Sequence, residues 1–344
     1  MPEYVRAFAP GRVNVIGEHT DYNQGLALPF AITAGVTVSA RAIPARRIEA
    51  TATDLDEHDS FALDEPAPAS GWRAFVRGAV AELQRADLPP RGAEITISGT
   101  VPRGAGLSSS AALEVALSLA LIGLSGLPPP DRLALARICS RIESEWVGAR
   151  TGLLDQLASL FGQEGHAVRI DFRSLELRLL PLELLGYRLV TLDSGESHAN
   201  AASGYNQRRA ECDRACEALG VDSLRDATPA MIERLPEPLA WRARHVVTEN
   251  ERVEAAVGAL QRHDLDELGR LLNASHASLR DDYEISTPAV EATVARLHAA
   301  GAIGARIVGG GFGGHVLGLL PADATAPPGA ITVAPGRGAH LLSD

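Results

Sequence analysis

The 344 residues carry a formal net charge of −11, with 46% hydrophobic and 22% charged residues. That profile suits a soluble chain with room for two domains and a large core, and it sets aside the nucleic-acid backbone as a partner. There is no lysine: all 32 basic residues are arginine, so a Walker-type phosphate loop is excluded.

The opening residues hold no apolar signal-peptide core. The three cysteines, Cys139, Cys212 and Cys216, are too few for a disulfide framework. Both features predict a cytoplasmic protein, and no membrane partner is expected. An apolar strand enters the polar stretch Gly11-Arg12-Val13-Asn14-Val15-Ile16-Gly17-Glu18-His19-Thr20-Asp21-Tyr22-Asn23. A solvated turn explains Thr20 onward; a sugar site explains why so many donors and acceptors gather there. Residues 26 to 43 read as a strand, and Glu94 to Ser98 alternates so that Ile95 and Ile97 share a face.

Next comes Gly104-Ala105-Gly106-Leu107-Ser108-Ser109-Ser110. It joins a strand to a long apolar helix over residues 111 to 127. A helix N-terminus offers free N–H donors and partial positive charge, and glycines let a phosphate approach. The serines either cap the helix, bind phosphate or ligate a metal, and these readings stand side by side. Pro128 to Pro130 break the chain. A helix over 133 to 147 carries Glu143, and a shorter one over 153 to 161 holds Asp155 at its start. Asp155 either answers the helix dipole or serves chemistry. Phosphoryl transfer asks for a metal ligand, a cation and a carboxylate at the nucleophile, roles that Glu143, Arg12 and Asp155 can fill.

Residues 187 to 193 read as a strand. Four helices follow, at about 200–219, 238–262, 265–280 and 288–300. Strands are expected at 305–308, 315–320 and 331–334, the first two separated by the glycine run Gly309 to Gly314. Strands beside runs of helices indicate α+β. The change in character places a boundary between residues 1–188 and 189–344.

Taken together, these stretches resemble the GHMP family of small-molecule kinases, and within it the branch that phosphorylates galactose. Gly11 to Asn23 is similar to that branch's signature. Pro102 to Ala112 resembles the family's ATP-binding motif, and Gly309 to Gly314 its third, glycine-rich motif. Gly204 to Cys212, Arg242 to Asn250 and Ser275 to Tyr283 are also similar to the branch, and the likeness runs from residue 9 to about 320. The resemblance implies a two-domain fold: an N-terminal mixed α/β domain (ribosomal S5 domain 2-like) and a C-terminal α+β domain, with the site between them.

By the same resemblance, Mg-ATP would phosphorylate the anomeric hydroxyl of galactose, the first committed step of galactose use, and the protein would be a monomer. Asp155 would accept the hydroxyl proton and Arg12 would steady the transition state. Glu18, His19, Thr20, Asp21, Gly152 and Tyr205 would hold the sugar. Gly104, Ala105, Gly106, Leu107, Ser108, Ser109 and Ser110 would cradle phosphate, with Ser110 and Glu143 on Mg²⁺. Thr151 stands where the branch usually has Cys, and Val308 and His315 where Thr and Cys are common. The change at Thr151 is expected to touch the sugar side. Other sugar 1-kinases (for N-acetylgalactosamine, galacturonate or arabinose) and a silent sugar and ATP sensor are the alternatives.

Overall fold

The computed structural model describes residues 1–102, 106–149, 151–196 and 201–343. The first half runs β1 (Tyr4–Asn14), β2 (Leu26–Ala27), β3 (Pro29–Ala42), β4 (Arg47–Ala52), β5 (Glu57–Ala62), α1 (Trp72–Arg85), β6 (Ala93–Gly99), α2 (Ser109–Leu124), α3 (Arg132–Arg141), α4 (Leu154–Phe161), β7 (His166–Asp171) and β8 (Glu176–Pro181). Then come β9 (Tyr187–Asp193), α5 (Ala201–Leu219), α6 (Pro229–Ile232), α7 (Leu239–Gln261), α8 (Leu265–Asp281), α9 (Pro288–Ala299), β10 (Gly304–Ile307), β11 (His315–Pro321), β12 (Ile331–Val333) and β13 (His340–Leu342).

Three sheets organise these elements. The largest has the order β13-β1-β3-β6-β4-β5, a second β10-β11-β9-β12, and a small one β2-β7-β8. In β3, Val36, Val38 and Ala40 alternate inward, joining Ile95 and Ile97 of β6 in a core closed by α1 to α4. α2 is apolar on nearly all sides, and a helix of that kind is stable only when surrounded. It packs on β1 and β3 and touches α1, α3 and α4. A second core joins Val13, Val15 and Phe30 to Val253, Leu268 and Leu317, welding the first sheet to the later helices. Among the described residues, no helix is long and apolar enough to cross a membrane.

Most expected elements are present, with instructive differences. The helix expected over 133 to 147 is two pieces: α3, then a π-helical turn at Ile142–Val147 that bends the chain at Glu143. The strand at 26 to 43 is interrupted at Leu28. The expected boundary at 188/189 falls inside β9, and β13 returns to pair with β1 through Phe8↔His340. The late chain thus completes the first sheet. β4, β5, β7, β8, β13 and α1 were not anticipated. α1 had a readable signal in Val76, Val80 and Leu83, which recur at helical spacing and are buried.

Candidate active site

β1 brings the first functional group into place. Its pairing with β3 shifts register between Pro10 and Arg12, a bulge that re-aims the next side chain. Gly11 is required here: a Cβ would lie 2.4 Å from the Leu107 carbonyl oxygen. That carbonyl accepts a hydrogen bond from the Arg12 N–H at 3.1 Å. Arg12 Nη1 donates to the Gly106 carbonyl at 2.5 Å, and its Nε donates to Asp155 Oδ1 at 2.7 Å. One arginine thereby ties the strand, the serine-rich loop and α4 together. Burial opposes the charge on Arg12, but Asp155, Glu18 and Asp21 outweigh it and raise its pKa.

The serines divide their work. Ser108 has a left-handed backbone (φ +58°), which costs a non-glycine residue about 1–2 kcal/mol, and it makes no side-chain cap. Its hydroxyl donates instead to Asp155 Oδ2. Ser110 donates to Glu143 Oε1 at 3.2 Å. The N–H groups of Ser109 to Ala111 precede the first N–H that finds an acceptor within the helix, that of Ala112, which donates to the Ser108 carbonyl at 3.1 Å. Of the predicted phosphate loop, Gly104 and Ala105 lie outside the described residues; Leu107 buries its side chain while its carbonyl meets Arg12.

A cavity of about 110 Å³ is lined by Arg12, Glu18, His19, Asp21, Thr151, Gly152, Leu154, Asp155, Tyr205, Gly309 and Gly310. The structure therefore gathers most of the sugar-side expectations in one place. Thr20 is the correction: it is buried outside this lining, and its hydroxyl donates to the Gly17 and Leu26 carbonyls, closing the turn. Gly152 abuts Asp21, whose Oδ2 would lie 2.0 Å from a Cβ there. Burial, with the Asp155 charge, raises the Asp21 pKa to about 7. Burial pushes His19 down to about 3, so its ring is neutral, and its Nδ1 lies 2.8 Å from the Tyr22 hydroxyl.

A second cavity of about 380 Å³ is lined by Leu55, Trp72, Phe75, Ile97, Val101 and Leu113 with Ser109 and Ser110, and is linked to the first through Ser110, Glu143 and Thr151. Ile97 and Leu113 lie on the expected strand and helix, whereas Leu55, Trp72 and Phe75 lie in the β4–β5 turn and α1, which were not anticipated. A larger groove of about 620 Å³ is bordered by Arg132, Leu179 and Arg337, and includes none of the site residues named above.

The side expected to take a metal centres on Glu143. Its Oε2 accepts from Thr151 at 2.5 Å and from Gln156 Nε2 at 3.2 Å. The expectation for Thr151 is thus extended: it lines the sugar cavity, but its hydroxyl serves Glu143. Burial raises the Glu143 pKa despite these hydrogen bonds. Glu114, one turn along α2 from Ser110, is fully buried, and burial with the Glu143 charge holds its pKa well above the ordinary value. The Glu143 carboxyl, which has no ion-paired arginine among the described residues, and the Ser110 hydroxyl beside it are hard oxygen donors of the kind that suits Mg²⁺.

The later chain supports this site from behind. Glu249 on α7 accepts from the Gly17 N–H at 2.9 Å, and Asn250 Oδ1 accepts from the Leu26 N–H at 2.8 Å. His245 Nε2 lies 3.1 Å from the Glu18 carbonyl. The Gly309 N–H donates to Glu18 Oε1 at 2.8 Å, and Arg306 lies 3.4 Å from the same oxygen. The glycine run is thus a clasp on the polar segment.

Three family models match the chain. Residues 2–42 match the galactokinase galactose-binding signature, 74–163 the GHMP kinases N terminal domain and 256–327 the GHMP kinases C terminal. A galactokinase of Roseiflexus sp. (strain RS-1) is 43% identical over 323 residues, covering 91% of this chain and 82% of that one. The chain belongs to the galactokinase family of GHMP kinases. A Streptomyces coelicolor galactokinase is likewise 43% identical over 337 residues, covering 93% and 85% of the two chains. The crystal structure of Lactococcus lactis galactokinase complexed with galactose superposes with a TM-score of 0.92 at 33% identity, covering 99% of this chain and 95% of that one. A mevalonate kinase at 17% identity and TM-score 0.69 shares the fold. Within the galactokinase family, the signature residues 2–42 coincide with the segment that α7 and the glycine run hold in place.

Proposed function

We propose that the protein transfers the γ-phosphoryl group of ATP to the anomeric hydroxyl of galactose. The observation that carries this reading is the Asp155 carboxylate, held by Arg12 and Ser108 at the junction of a small polar cavity and the N-terminus of α2. Galactose occupies the cavity, with hydroxyls toward Glu18, His19, Asp21 and Tyr205 and the backbone at Gly152. The second, apolar cavity takes the adenine against Trp72 and Phe75, which leads the phosphates to Ser109 and Ser110.

The reaction is an in-line displacement. The anomeric oxygen forms a bond to the γ-phosphorus as the bond to the ADP oxygen breaks, and Asp155 takes the hydroxyl proton. Arg12 holds Asp155 in position and places its charge where negative charge develops. The Arg12 and Ser108 hydrogen bonds leave the carboxylate little rotational freedom, so its orientation is set before substrate arrives. Ser110 and Glu143 are the residues that would hold Mg²⁺, which when bound neutralises phosphate charge. Gly106, Leu107 and the backbone before α2 supply N–H groups to the phosphates.

The reading also takes residues 1–188 and 189–344 as the two working units, with β13 returning to the first, and the protein as a monomer in the cytoplasm. ADP release with Mg-ATP and a panel of sugars tests the activity. Galactose is expected to give the fastest turnover, with galactose 1-phosphate as product. Turnover with galactose no faster than with water, or turnover confined to N-acetylgalactosamine, galacturonate or arabinose, overturns the assignment. Galactose binding without ADP release would return the sensor reading.

A further inference from the structure

Beside the catalytic groups lies a buried side chain that the reaction scheme leaves unused. Gln156 follows Asp155 in the first turn of α4 and is fully buried. Its amide nitrogen sits between two buried carboxyls, 3.2 Å from Glu143 Oε2 and 3.3 Å from Glu114 Oε2. An amide NH₂ has two hydrogens, so one can go to each carboxyl. Glu114 fixes which way the amide faces, and the amide then fixes Glu143. The arrangement carries a cost, because Gln156 Oε1 and Glu114 Oε1 have no hydrogen-bond partner among the described residues. A network chosen for stability alone would not leave two buried oxygens in this state.

We infer that Gln156, oriented by Glu114, is a positioning residue that sets the Glu143 carboxylate for its cation. Adjacent residues of one helical turn then divide the work. Asp155 faces the sugar, while Gln156 faces the group that serves the nucleotide's metal. The distance between base and metal ligand is thereby fixed by a single rigid turn, with Thr151 bracing Glu143 from the loop before it. The inference rests on the reading of Glu143 as a metal ligand given above.

The test measures metal binding without turnover. Mn²⁺ is titrated into the protein with ADP and no sugar, followed by paramagnetic resonance, and Mg²⁺ is used as competitor. Galactose binding is measured separately by calorimetry. Gln156→Leu is expected to weaken Mn²⁺ binding about tenfold while galactose affinity stays within about twofold. Glu114→Leu removes a buried carboxyl and fills its space, so its melting temperature is expected to hold or rise. Its Mn²⁺ affinity is nevertheless expected to fall about threefold or more. A purely structural role would move stability and leave metal affinity alone. Unchanged Mn²⁺ affinity in Glu114→Leu overturns the inference, and so does an equal loss of Mn²⁺ and galactose affinity in Gln156→Leu. If Gln156→Leu does not fold, Glu114→Leu decides alone. Wild-type protein that binds no Mn²⁺ displaceable by Mg²⁺ overturns the metal reading itself, a result distinct from unchanged variants beside a binding wild type.

Discussion

Two sets of polar side chains surround the same cavity and treat their partners differently. On the side built from β1, α2 and α4, the carboxylates take side-chain donors: Asp155 takes Arg12 and Ser108, and Glu143 takes Ser110. On the side built from α7 and the glycine run, side-chain oxygens take backbone N–H groups: Glu249 takes that of Gly17, Asn250 that of Leu26, and Glu18 that of Gly309. The first arrangement sets charge and proton position. The second sets the path of the polar segment. Losses on the first side should therefore appear in turnover, and losses on the second in stability and sugar affinity.

The largest expected effect separates the two sides at once. Asp155→Asn is expected to lower kcat by about 10³-fold or more, on the order of 4 kcal/mol, while calorimetry still shows galactose binding. A kcat within tenfold of wild type would remove Asp155 from the proton-accepting role. On the opposite side, Glu249→Ala breaks contacts with Gly17, Ser275 and Arg252. It is expected to cost about 3 kcal/mol of unfolding free energy in urea. An unchanged denaturation midpoint would show that α7 does not hold the segment.

The sign of the pH effect follows from burial. Arg252, His245 and Arg306 outweigh burial and hold the Glu249 pKa down to about 2. Its contribution to stability is therefore full above the ordinary glutamate value and is lost as pH falls through about 2.

Gly152→Ala would press a Cβ into Asp21. An increase in the galactose KM of about tenfold is expected, with the ATP KM nearly unchanged. Equal increases in both would mean that the two cavities are not separate in function.

The smallest effect is a pH dependence. Burial and the Asp155 charge raise the Asp21 pKa to about 7, and in the proposed site its carboxylate form is the stronger acceptor for sugar hydroxyls. Galactose affinity is expected to fall below pH 7, by at most about tenfold per unit, and to level off above it. Affinity that rises on acidification would exclude Asp21 as that acceptor.

The sequence revealed different things on the two sides. β9 was legible from its apolar run, α8 from Leu265, Leu268, Leu272 and Leu279 at helical spacing behind the Asp264 cap, and α9 from its Thr287-Pro288 start. β5 was not: its Glu57, His58 and Asp59 lie on an edge strand, where exposed backbone tolerates charge. The clustering of Arg12, Glu18, Asp21 and Asp155 was legible through resemblance, whereas the diversion of Thr20 was not. Whether a threonine faces a cavity or closes a turn depends on the φ/ψ of its neighbours, here the left-handed His19. The partnership of Gln156 with Glu114 and Glu143 joins three elements, and no local spacing encodes it. The π-helical turn at Glu143 likewise reads as ordinary helix, since one extra residue in a turn leaves no mark in apolar periodicity.

The return of β13 to β1 has a consequence for how the molecule is made. A ribosome delivers β1 first and β13 nearly last. At roughly 5–20 residues per second, the edge beside Arg6, Ala7 and Phe8 stays without its outer partner for on the order of tens of seconds. All the other described elements lie between β1 and β13, so the sheet around Arg12 closes only after they have emerged. A nascent chain halted before residue 340 would present an open strand edge, the surface on which chaperones and unwanted neighbours compete.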